Sequence, residues 1–69
     1  MKNRIPRKFY RITGELLIPT SCTDPGDVIH VTKNDCGYLG YNTRTAKHFY
    51  MFASMIRNAE IFRVIEISQ

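Results

Sequence analysis

The stretch from residue 28 to residue 42 constrains this 69-residue chain more than any other. Val28 to Lys33 alternates, with Ile29 and Val31 on one face and His30 and Thr32 on the other, and β-branched residues dominate it. Asn34-Asp35-Cys36-Gly37 follows as a turn in which Gly37 takes the left-handed conformation at no steric cost, and Tyr38 to Asn42 forms the returning strand. Residues 28–42 therefore read as a β-hairpin, which puts antiparallel pairing at the centre of the fold.

The flanking segments are read against that hairpin. Lys8 to Thr13 suits a first strand carrying Phe9, Tyr10 and Ile12. Gly14 interrupts it, Glu15 to Ile18 continues it or forms a second short strand, and Pro19 ends regular pairing. Thr20 to Asp27 is a loop of turn formers with its corner at Pro25-Gly26. Beyond the hairpin the period changes: Phe49, Phe52, Ala53 and Ile56 fall at i, i+3, i+4 and i+7, with Ala46, Met55 and Ala59 on the flanks. This spacing predicts a helix from about Thr45 to Arg57, capped by Thr43 or Thr45 and closed at Asn58. Glu60 to Ser68 is apolar on both faces and suits a well-covered last strand.

The chain is too short for two domains, and below ~70 to 80 residues one core rarely contributes more than ~3 to 5 kcal/mol net. With 43% hydrophobic and 23% charged residues, its composition is that of a folding chain rather than a disordered one. The net charge of +4 is unevenly placed. Lys2, Arg4, Arg7, Lys8 and Arg11 stand without an acid in the first eleven residues, whereas the rest of the chain is slightly acidic. The expected organisation is a basic arm over residues 1–7 followed by a single domain over 8–69. Such an arm attracts phosphates, an anionic membrane surface or an acidic protein patch, and its plain alternative is a solvated terminus.

No apolar h-region or membrane-length run is present, and two cysteines do not make a disulfide scaffold, so the expected setting is cytoplasmic with Cys22 and Cys36 reduced. Cys22, His30, Cys36 and His48 lack the close ligand pairs of a structural zinc site, and neither metal nor cofactor is expected. Catalysis is not expected either. His30 and His48 are the only near-neutral bases, Asp24 and Asp27 are placed to bond turn amides, and Gly37 and Gly40 belong to the hairpin rather than to a phosphate loop.

The stretch PGDVIHVTKNDCGYLGYN, an aromatic-rich segment and EIFRVIEI together resemble the small SH3-like β-barrel proteins that abound in bacteriophage genomes. In those proteins a Gly-Asp step enters a strand, a hairpin ends in an aromatic-containing strand, and a short helical turn leads into a closing strand. The resemblance spans roughly residues 8–67. It implies a non-enzymatic accessory protein of a phage or its bacterial host, and it supplies no catalytic residues. The expected class is α+β: an SH3-like, partly open β-barrel, or a curved antiparallel sheet with the helix at about 45–57 before the last strand.

Two functions follow from the residues. The first is binding and modulation of a host protein, or of a second copy of this chain, through an exposed helix edge carrying Tyr50 and Met51 beside Lys47 and Ser54. The second is nucleic-acid binding. Lys2, Arg4, Arg7, Lys8 and Arg11 would meet phosphates, while Tyr10, Tyr38 and Tyr41 would offer stacking surfaces. In the competing structural reading, Phe9 and one of Tyr38 and Tyr41 are core residues.

Overall fold

The structure, a computed structural model, describes residues 10–34 and 37–68. Five strands form one antiparallel sheet: β1 (Arg11–Leu16), β2 (Val28–Asn34), β3 (Gly37–Asn42), β4 (Lys47–Met51) and β5 (Phe62–Ser68). A single helix, α1 (Ala53–Ile56), lies between β4 and β5. The sheet order is β4-β3-β2-β1-β5, so the sheet is curved and open, with β4 and β5 as its edges. The expected hairpin is present, pairing β2 with β3 from Ile29 opposite Asn42 to Asn34 opposite Gly37.

Alternation along the strands sorts their side chains onto two faces. The inner face carries Ile12, Val31, Gly40 and Phe49 in one cross-strand row. Ile12, Leu16, Ile29, Val31, Met51, Ile56 and Phe62 are buried there, with Ile18, Tyr38, Phe49, Met55, Ile61, Val64 and Ile67 packed against them. Each fully buried aliphatic or phenyl side chain contributes roughly 1.5 to 3 kcal/mol by area.

Gly14 does not interrupt β1, which runs through it to Leu16. A methyl group at Gly14 would run into the ring of Phe62, so the absence of a side chain lets that ring lie against the β1 backbone. Beside this point the β1/β5 register shifts: Thr13 faces Glu66, but Gly14 faces Val64. Ile65 is the extra residue of this β-bulge and is 53% exposed. The bulge keeps Phe62, Val64 and Ile67 directed inward, which explains the apolar run in β5. That strand is an edge, not the well-covered strand its composition suggests.

The expected helix over 45–57 is replaced by β4 and one helical turn. The segment 43–46 is a tight turn joining β3 to β4, closed by Ala46 N–H donating to the Asn42 carbonyl at 2.8 Å. Asn42 directs this turn, because its Oδ1 accepts the Arg44 N–H at 2.9 Å, as Asx-turns do. Ala46 then sits at φ 58°, a left-handed position that ends helical continuation before it begins. From Lys47 the aromatic residues follow the two-residue period, with Phe49 and Met51 inward and His48 and Tyr50 outward. Only Ala53–Ile56 is helical; its N-cap, Phe52, offers no capping side chain. Asn58 closes the return by accepting the Glu60 N–H on Oδ1 and the Ile61 N–H on its carbonyl, both at 2.9 Å.

Candidate functional site

The outer face of the sheet is polar and aromatic. Strand register places Glu66, Thr13, His30, Tyr41 and His48 in one row across all five strands. The neighbouring row brings Thr32, Leu39 and Tyr50 together. An open groove of about 480 Å³ crosses this face, lined by Tyr10, Arg11, His30, Thr32, Leu39, Tyr41 and His48, with Lys33, which has the opposite register and pairs with Tyr38, lining it at the end toward the hairpin turn. Tyr41 is its centre. Its ring centroid lies 4.8 Å from that of His48, at 51° between planes, and 6.4 Å from that of His30, at 32°.

The charge in the groove differs from that at the β5 end of the same face, where Glu66 and the Glu15–Arg63 pair stand. Arg63 bridges Glu15 between β5 and β1, and Arg44 bridges Asp24 and Asp27, so those cations are neutralised locally. Among the described residues no carboxylate lines the groove, and neither Arg11 nor Lys33 has an ion-pair partner. Arg11 Nε is buried without a hydrogen-bond acceptor among them.

A second polar cluster lies at the other end of the hairpin and fixes the loop over 20–27. Asp27 is 6% exposed. It accepts Arg44 Nε at 2.7 Å and Nη2 at 3.0 Å, with the Asp24 N–H and Asn42 Nδ2 each at 2.8 Å. The Arg44 pair, then the Asp24 amide and Asn42, hold the Asp27 carboxyl far below the usual aspartate range. Asn42 also donates to the Cys22 carbonyl at 3.0 Å. Because all these donors converge on one carboxylate, Asp27 is a clamp between the loop and the β3–β4 turn. The pairing with turn amides expected from the Pro-Gly corner is present at the Asp24 amide. Arg44, seventeen residues from Asp27, is a partner that no local pattern announces.

The structure divides the residues selected from sequence. Lys2, Arg4, Arg7, Lys8, Phe9 and Cys36 lie outside the described residues. Tyr10, Arg11 and Tyr41 meet in the groove. Tyr38 does not join them, since the pleat turns it to the opposite face, where it packs against the core. Met51 is also corrected: it is 4% exposed on the inner face and cannot form an exposed helix edge. Tyr50, Lys47 and Ser54 are exposed, but they sit on β4 and α1 rather than along one helix. His30, Thr32, Lys33, Leu39 and His48 are groove residues that sequence reasoning missed. Alternation in β2 placed His30 and Thr32 outward, but the helical period over 45–57 conceals the strand that brings His48 beside Tyr41.

Among the described residues no three histidine, cysteine or acidic side chains gather as a metal site, and no helix is long and apolar enough to cross a membrane. No protein-family model, curated protein or solved structure matches the chain.

Proposed function

We propose that this chain is a small non-catalytic binding module that takes nucleic acid on the outer face of its sheet. The observation that carries this reading is the groove around Tyr41. It has packed rings at its centre and, among the described residues, two cations without carboxylate partners in its lining. Aromatic side chains among such cations are the surface that nucleic acids use on small β folds. The basic arm adds to it by connectivity. Residues 1–9, with Lys2, Arg4, Arg7 and Lys8, precede the groove residues Tyr10 and Arg11 in the sequence.

The likeness to phage SH3-like accessory proteins remains part of this reading; the open five-stranded sheet with one helical turn before β5 is the coarser arrangement it rests on. Fold likeness alone does not select a ligand. Fluorescence anisotropy with a labelled oligonucleotide, titrated at several salt concentrations, tests the reading. Binding should weaken with salt. Arg11→Ala with Lys33→Ala should reduce the magnitude of the log–log slope by ~0.7 to 0.9 for each phosphate that loses its cation. Absence of binding at low salt, or an unchanged slope in the folded double variant, contradicts it.

A second reading rests on Tyr50 and Phe52, which are 72% and 74% exposed beside the edge of β4, which has no further strand on it among the described residues. Exposed aromatics at a free strand edge suit a protein partner that adds a strand, whether a host protein or a second copy. Capture from a bacterial lysate with and without nuclease separates the readings: a nuclease-resistant protein lost on Tyr50→Ser with Phe52→Ser supports this one. Retention of the same protein by that double variant removes it.

A further inference from the structure

Nucleic acid offers two chemistries, phosphate charge and base faces, and only an unpaired strand offers both on one surface. In a duplex the base faces are hidden in the stack, so an aromatic surface gains nothing from them. The groove has little to give a duplex, with only Arg11 and Lys33 as cations in its lining. Rings dominate it instead. Tyr41 and its flanking histidines span β2, β3 and β4, Tyr10 stands 74% exposed at the β1 end, and Tyr50 stands 72% exposed on the same face of β4.

Resting on the nucleic-acid reading above, we propose that the groove takes the unpaired bases of a single strand. One base stacks on the ring surface at Tyr41, a second meets Tyr10, and the intervening phosphodiester is held by the guanidinium of Arg11. Arg11 lines the groove next to Tyr10 and has no ion-pair partner among the described residues, which makes its guanidinium the cation placed to meet that phosphate. A duplex is left with electrostatic contact alone, most of it supplied by the arm.

The test compares fluorescein-labelled oligothymidylate and oligouridylate of ten nucleotides with a ten-base-pair DNA duplex, all at one low salt concentration. The full chain should bind at least one of the single strands about tenfold or more tightly than the duplex. Tyr41→Ala should lower single-strand affinity ~5- to 150-fold, the range for loss of one stacked base, while leaving duplex affinity unchanged. Tyr41→Phe, which keeps the ring, should retain the preference. Tyr10→Ala serves as a second variant, since an exposed side chain can be removed without touching the core, and it should also weaken single-strand binding alone. Equal affinity for single strand and duplex overturns the inference while leaving the nucleic-acid reading standing. An undiminished preference in both alanine variants overturns it too. No binding of any of the three probes overturns both.

Discussion

Among single residues, Gly14 and Ala46 show how local geometry and global register support each other. Gly14 leaves room for the Phe62 ring, and Gly14→Ala should destabilise by about 1 to 3 kcal/mol, as overpacking does. A wild-type melting temperature in that variant would contradict the packing. Ala46 has the opposite sign. It holds a left-handed φ of 58°, a conformation that costs most residues about 1 to 2 kcal/mol. Ala46→Gly should therefore raise thermal stability by a few degrees, less what the added freedom of the unfolded chain removes. Asp27 sets the acid limit. Because its carboxyl is depressed in the folded state, its contribution is present above the unfolded aspartate value of about 3.9 and withdrawn as pH falls below it. Melting temperature against pH should fall less steeply below pH 4 for Asp27→Asn than for the parent chain, and parallel acid limbs would show that the clamp is inert.

For the elements, what was legible in the sequence depended on whether one period was uncontested. Val28–Lys33 alternates without competition, and the hairpin built on it is present. Over 45–57 two periods compete. Phe49 and Ile56 satisfy a helical stripe, yet Phe49 and Met51 equally satisfy an inward strand face. The choice is made from outside the segment, by Asn42, whose side chain is tied to Asp27 and Cys22 fifteen and twenty residues away. No local pattern carries that information, so β4 and the position of His48 are hidden together. The bulge at Ile65 similarly makes an edge strand read as a covered one. Two substitutions separate strand from helix edge. Met51→Lys should destabilise the fold strongly, since truncating a buried Met alone costs about 2 to 5 kcal/mol, whereas Tyr50→Ser should leave the melt within ~0.5 kcal/mol. Equal tolerance of both would restore the exposed helix edge.

Across the molecule, the sheet separates two tasks. Its inner face, closed by α1 and the ring of Phe62, carries the core, and its outer face carries the groove. If the proposed binding face is the right one, groove substitutions should alter binding while leaving the cooperative melt intact. Deleting residues 2–7 removes Lys2, Arg4 and Arg7 and should lower the magnitude of the salt slope by ~2 to 3 while folding survives. Whether the groove is the binding face is decided by an amide chemical-shift map of the labelled full chain during titration with a ten-nucleotide single strand. The shifts should concentrate at Tyr10 and Arg11, His30 to Lys33, Leu39 to Tyr41 and His48. Shifts confined to α1, β5 and the loop over 20–27, or none at saturating oligonucleotide, would show that the outer face is not where this chain meets its ligand.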